Sequence, residues 1–223
     1  MPKSTFFNLP QAKRERITEL AIEEFSERPY HRASLTRLVA RAGIAKGSVY
    51  QYFDDKLDLY RWLLTEEVPR RKLAHLRAEA EAAPPTSLRG FLRQAVLSGV
   101  RFMLANPRLS QLAAAVTMPT DDPELRALYA EVLAQGHAGF TTMLRGMVQA
   151  GQLRDDVDPE LAARVIASVL GIGLRDIVLG QLGVDMLALL REPSMAERLD
   201  DAALERLVDG VLTILVDGLA PPP

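Results

Sequence analysis

The 223-residue chain contains no cysteine. Disulfides, thiolate metal sites and a thiol nucleophile are thereby excluded, and the fold has to rest on packing and hydrogen bonding. Aromatic residues are few, at 6% with a single tryptophan, so the core must be built mainly from aliphatic side chains. Long uncharged runs are lacking as well. The longest, Val132 to Leu144, spans 13 residues, short of the roughly 20 that cross a bilayer as a helix, and no transmembrane helix is expected. The first residues, Met1-Pro2-Lys3-Ser4-Thr5-Phe6-Phe7-Asn8, hold no apolar stretch of about 7–15 residues and no small-residue cleavage site, so no secretory signal is expected and the expected setting is cytoplasmic.

What is present is an ordinary globular composition, 48% apolar and 25% charged, which supports a folded chain rather than a disordered one. At about 150 residues per domain the length admits one large domain or two smaller ones. The net charge of −2, taken as a whole-chain sum, argues against nucleic acid, but it conceals a gradient. Residues 1–65 carry 11 Lys and Arg against 8 Asp and Glu, a net of +3, and residues 66–223 carry 16 against 21, a net of −5. A small basic head precedes an acidic body.

Apolar residues recur at helical spacing almost everywhere and no strand-like alternation appears, so the fold class expected is all-α. Pro10 suits a first helical position, and Ile17, Leu20, Ala21 and Phe25 then define a face that ends near Arg28, before Pro29. Ser34 is placed to cap a short helix bearing Leu35, Leu38, Val39 and Ala42, with Gly43 as its stop. A third short helix, about Ala45 to Phe53, follows almost at once. A fourth starts near Lys56, capped by Asp54 or Asp55, and meets Pro69, where it either kinks or restarts. Further helices are expected after Ser87, around Leu109 to Val116, from Pro123 to Ala150, from Asp158 through an apolar stretch to Leu182, and over a last segment bearing Leu204 to Leu219. The stretch Gly183 to Pro193 reads as looser, and Pro221-Pro222-Pro223 as a frayed tail.

The pair of helices 34–42 and 45–53, joined by a glycine turn within the basic head, has helix-turn-helix spacing. At 100° per residue Ala45, Val49, Tyr52 and Phe53 fall on one arc, the core side. The opposite arc carries Gly47 and Gln51 flanked by Lys46, Ser48 and Tyr50, with no large aliphatic side chain. Such a face suits a DNA major groove, where backbone approaches phosphates and amides read base edges. For any one of these residues alone, a plain surface position is the competing reading.

The stretch from Leu20-Ala21-Ile22-Glu23-Glu24-Phe25 through Ala33-Ser34-Leu35-Thr36-Arg37-Leu38-Val39 to Ala42-Gly43-Ile44-Ala45-Lys46-Gly47-Ser48-Val49-Tyr50-Gln51-Tyr52-Phe53, with Lys56 beyond, resembles the DNA-binding domain of the tetracycline-repressor (TetR) family of bacterial transcription regulators. The resemblance covers about residues 11–65; Pro29 departs from it, standing where the family often has glycine. The remaining residues match in architecture only. It implies a helix-turn-helix domain over 1–55 and a helical effector-binding and dimerisation domain over 56–220. It places Lys46, Gly47, Ser48 and Gln51 nearest the bases, Tyr50, Tyr52 and Lys56 at the DNA backbone, and Ser34, Thr36 and Arg37 as helix-two contributors. The function implied is a ligand-responsive regulator, most simply a repressor that binds a palindromic operator as a homodimer and is released by a small hydrophobic effector.

In the body, Leu161, Val165, Val169 and Ile172 make one apolar stripe and Leu204, Leu207, Val208, Val211, Leu212 and Leu215 another. They pack either within one chain or, as the resemblance implies, between two copies, with Gly171 and Gly173 allowing close approach. Trp62, Phe102, Met103, Met118, Tyr129, Phe140, Met143 and Met147 are candidates to line an apolar pocket, with simple core roles as the alternative. His137 reads as a core histidine or a ligand contact, and Arg175 beside Asp176 as an internal ion pair or a reader of ligand charge.

An enzyme is not expected. His31, His75 and His137 have no zinc-binding spacing, Gly43-Ile44-Ala45-Lys46-Gly47-Ser48 lacks the phosphate-loop order, and no catalytic, cofactor or metal residue is assigned. The alternative function is a helical small-molecule-binding or scaffold protein without operator binding.

Overall fold

A computed structural model describes residues 1–82, 87–151, 156 and 158–217, without the side chains at 46, 80–82, 171, 172 and 217. The expected loop at 83–86, Leu219 and the terminal prolines fall outside it. The described elements are helical, in the order α1 (Ser4–Phe7), α2 (Gln11–Glu27), α3 (Leu35–Ala42), a 3-10 helix at Lys46–Gln51, α4 (Lys56–Trp62), α5 (Val68–Ala82), α6 (Leu88–Ala105), α7 (Pro107–Ala115), α8 (Pro123–Gln149), α9 (Pro159–Ala167), α10 (Leu174–Leu182), α11 (Met186–Arg191) and α12 (Asp201–Leu212). Short 3-10 turns stand at Tyr30–Arg32 and Pro193–Arg198, and no strand occurs among the described residues.

The chain forms two compact units. The first comprises Met1–Arg71 together with Arg108–Asp121, the second Lys72–Pro107 with Asp122–Pro223.

In the first unit, α2 stops at Glu27 and Arg28 turns extended, at φ −135° and ψ 136°, the conformation favoured before a proline. The hydroxyl of Ser34 accepts the N–H of Arg37 at 3.4 Å, capping α3. Gly43 ends that helix at φ 67°, a left-handed position that costs glycine nothing, and Ile44 N–H closes back on Val39 O at 3.1 Å. Ile17, Leu20, Leu38, Val49, Phe53, Leu59 and Leu63 are at most 1% exposed and form the core. Phe6 of α1 joins them at 0%. The third helix is shorter and tighter than its apolar spacing predicts, six residues of 3-10 helix instead of nine of α.

Helical structure continues through Pro69 without interruption. α4 runs through a π-helical segment, Leu63–Glu67, directly into α5. A proline ring collides with the carbonyl four residues back and donates no hydrogen bond. Widening the turn just before it accommodates both demands. The same device, at Ser168–Gly173, joins α9 to α10.

The second unit is organised around α6, α10, α11 and α12. Leu92, Val96 and Val100 meet Leu174, Val178 and Leu182, with Leu189, Leu204, Val208 and Leu212 closing the cluster. Each such buried aliphatic side chain contributes about 1.5–3 kcal/mol of transfer free energy. The stretch after Gly183 is more ordered than its sequence suggests: Asp185 caps α11 through the N–H of Ala188, and Leu189 is fully buried.

Residues Pro159–Leu182 form 24 residues of helix that include an 18-residue stretch of mean hydropathy 1.6, enough by length and composition to cross a membrane. This corrects the expectation drawn from uncharged runs alone, which Arg175 and Asp176 had cut short. Leu174, Val178 and Leu182 of that helix lie in the unit's own core.

Candidate nucleic-acid interface

The outward and inward arcs of the 3-10 helix are those that the residue spacing predicts except at Ala45, which stands exposed just before the helix instead of on the core side. Val49, Tyr52 and Phe53 are 1%, 6% and 0% exposed, whereas Tyr50 is 50% exposed, and Gly47 and Gln51 are also open to solvent. Ser48 is half-buried and Thr36 of α3 is exposed. A methyl group added at Gly47 would meet nothing within 4 Å, and its backbone is not left-handed. The fold therefore does not require glycine there. The side chain of Lys46 lies outside the described residues.

Four of the expected DNA-contacting residues are occupied within the protein. Arg37 donates from Nη2 to Glu24 Oε1 at 2.6 Å and to the carbonyl of Arg32 at 2.7 Å, and from Nε to both Glu24 oxygens. Lys56 directs its ammonium to the carbonyls of Tyr30 at 2.8 Å and Ala33 at 3.3 Å, and stands 4.3 Å from the Tyr30 ring centroid; burial pushes its pKa down. Tyr52 packs with Phe6 in the core. Ser34 spends its hydroxyl on the α3 cap and its N–H on Glu24, at 2.8 Å.

Glu24, 2% exposed, is thus a hub that helical spacing did not single out. Burial pushes its carboxyl up, but the hydrogen bonds from Arg37 and Ser34 and the charges of Arg37 and Arg28 outweigh this and hold it below the usual range. A charged residue on an otherwise apolar face of α2 was the available signal. Arg41 pairs with Glu23 at 2.7 Å, and Arg28 with Glu24 and Glu27. Three of the head's arginines are thus paired within it, while its net excess of positive charge is unchanged.

The residues expected to line one apolar pocket belong to both units. Trp62 and Met118 belong to the first unit, Trp62 against Phe6 and Phe53 in its core and Met118 56% exposed. Phe102 and Met103 are buried on α6, and Tyr129, Phe140, Met143 and Met147 are half-buried on α8. His137 lines an open groove of about 420 Å³ between α8 and α9, with Leu133, Thr141, Thr142, Arg145 and Arg164. Arg175 pairs with its neighbour Asp176 at 2.9 Å. Among the described residues no three His, Asp or Glu side chains converge to hold a metal ion.

Of the two stripes expected at a subunit interface, Leu204, Val208 and Leu212 are spent inside their own chain, at 2%, 0% and 0% exposure, because the 3.6-residue period gives an apolar face without saying what covers it. Leu207, Val211 and Leu215 are half-buried, as is Val169, and the side chain of Ile172 is outside the described residues. Leu161 and Val165 are 61% and 47% exposed; Ile177 and Ile214, unforeseen, stand at 43% and 56%.

An all-α chain with a helix-turn-helix head of this geometry belongs to the DNA-binding transcriptional regulators. Residues 17–62 match the family described as bacterial regulatory proteins, tetR family, and residues 83–174 match the tetracyclin repressor-like C-terminal domain. A TetR family transcriptional regulator from Chloroflexus aurantiacus is 31% identical over the full length of both chains, with a TM-score of 0.66. This chain belongs to the TetR family. It is also 23% identical to the transcriptional repressor BepR of Brucella suis, over 78% of this chain and 84% of that one. The regulator FadR of Bacillus subtilis, solved in complex with stearoyl-CoA, shares its fold at 20% identity and a TM-score of 0.68, with 92% of this chain and 99% of that chain covered.

Proposed function

We propose that the chain is a repressor that binds a two-fold symmetric operator as a homodimer and leaves it when a small apolar effector occupies the second unit. The observation that carries the DNA reading is Gly47. Its Cβ position is open, its backbone is unstrained, and it sits on an arc with Tyr50 and Gln51 that the protein leaves uncovered. A residue with no side chain at such a place permits backbone to approach phosphate closely. Thr36, Lys46, Gly47, Ser48, Tyr50 and Gln51 form the proposed DNA face; Arg37, Tyr52 and Lys56 support it from behind.

Pairing is supported by the exposed Leu161, Val165, Ile177 and Ile214, apolar residues that a second copy would remove from water. Two copies present two reading helices, which a two-fold site multiplies into affinity. The name of BepR favours repression, and the stearoyl-CoA bound to FadR favours an effector with an acyl chain. Residues of α6 and α8, among them Phe102, Met103 and Phe140, supply apolar surface of that kind.

The test is selection from a random duplex pool at low salt. Enrichment of a palindrome, with affinity falling steeply as salt rises and recovering its loss when an added acyl-CoA is removed, is the expected result. No enriched palindrome would leave a helical ligand-binding protein as the reading.

A further inference from the structure

The reading helix is held by a strap that lies far from it in sequence. A six-residue 3-10 helix has poorer hydrogen-bond geometry than an α-helix, and its final carbonyls have no partner within it. Here three consecutive carbonyls at its C-terminal end accept hydrogen bonds from residues 3 and 5. Lys3 Nζ donates to Tyr50 O at 2.9 Å, Lys3 N–H donates to Tyr52 O at 2.8 Å, and the hydroxyl of Thr5 donates to Gln51 O. Lys3 also pairs with Asp54 at 2.8 Å, placing a cation where the helix end is negative. One residue further on, Phe6 fixes the strap in place. Its ring lies 5.0 Å from Phe53, 5.2 Å from Trp62 and 6.1 Å from Tyr52, and is fully buried.

Tyr50 and Gln51, whose carbonyls are held, are the residues whose side chains face outward. Their backbone carbonyls and side chains leave the same two residues, so fixing the former sets the rotation of the reading helix about its own axis. We infer that Lys3, Thr5 and Phe6 are positioning residues for DNA recognition, acting through the carbonyls of Tyr50, Gln51 and Tyr52 without touching the bases. Release of the strap leaves fewer molecules with the reading arc correctly turned, and apparent operator affinity falls by that fraction. Binding that depends only on phosphate charge is indifferent to the rotation.

This inference rests on the operator-binding reading, and its test separates the two. Thr5→Val keeps shape and charge and removes only the donor; Thr5→Ser restores it. The selected operator and a scrambled duplex are titrated in parallel, and hydrogen exchange of the 49–53 amides is followed without DNA. The expected result for Thr5→Val is a loss of operator affinity of at least twofold and up to about fivefold, fivefold being the full worth of one hydrogen bond of about 1 kcal/mol. Scrambled-duplex binding is unchanged, exchange at 49–53 accelerates, and Thr5→Ser returns operator affinity and exchange to the parent values. Unchanged operator affinity, an equal loss on both duplexes, or unchanged exchange at 49–53 each overturns the strap. If the parent chain selects no operator, the regulator reading fails first, and unaltered exchange in Thr5→Val still overturns the strap by itself.

Discussion

The carboxylate of Glu24 is clamped by the guanidinium of Arg37, with Nη2 to Oε1 at 2.6 Å and Nε to the same oxygen at 3.1 Å. The pair joins the buried face of α2 to the first turn of α3. Glu24 Oε1 also receives the N–H of Ser34, the capping residue of α3, so one carboxylate fixes both the start and the flank of the first helix of the motif. Arg37 is 46% exposed along its side chain, but its Nε and Nη2 point to Glu24 and the carbonyl of Arg32.

Glu24→Gln keeps the volume and removes the charge. It is expected to destabilise the protein by about 1–3 kcal/mol, the range for hydrogen bonds to charged groups, measured by denaturant unfolding. The sign with pH follows from the depressed carboxyl. Its contribution is complete above the ordinary glutamate value of about 4.3 and is lost as pH falls below that value and through the folded one. Glu67, where burial raises the carboxyl but Arg70 and Arg71 together hold it down, behaves alike. Stability of the parent should therefore decline below about pH 5, and the decline should be shallower in Glu24→Gln.

Gly47→Ala and Tyr50→Ala test the uncovered arc. Neither side-chain position is needed for packing, so Tm should stay within about 2 °C of the parent, as for surface substitutions within about ±0.5 kcal/mol. Operator binding should weaken at least tenfold in each. A Tyr50→Ala protein that unfolds would place Tyr50 in the core and remove the arc.

Lys56→Met is expected to lower Tm, because the carbonyls of Tyr30 and Ala33 lose their donor. Two carbonyls and the Tyr30 ring already hold its ammonium. The slope of log K against log salt should thus change by less than the roughly 0.9 that one lost phosphate contact brings, in titrations of parent and variant side by side.

Leu161→Glu and Ile177→Glu place charge on exposed apolar residues and are expected to shift the protein to monomers in sedimentation without loss of helicity. Leu212→Ala, by contrast, empties core volume and should cost about 2–5 kcal/mol. If the two glutamate variants remain dimeric, pairing uses another face.

The sequence by itself determined the local elements. The Ser34 cap, the Gly43 stop, a cap of α4 at Asp54 or Asp55 and the arc that separates Val49 and Phe53 from Tyr50 and Gln51 are properties of a few neighbouring residues, so spacing and side-chain chemistry suffice to read them, and the fold chose Asp55. Tertiary structure decided what each exposed-looking group faces. From the sequence Arg37 and Lys56 read only as DNA contacts; the fold also gives them Glu24 and the carbonyls of Tyr30 and Ala33, 13 to 26 residues away in the chain, as partners. Leu204, Val208 and Leu212 look like an interface until α6 covers them. Residues 3–6 carry no readable helical period, and only the folded chain brings Thr5 to Gln51, 46 positions on. Periodicity specifies that a face is apolar or polar; its partner is selected by packing among segments distant in sequence, which no local pattern encodes.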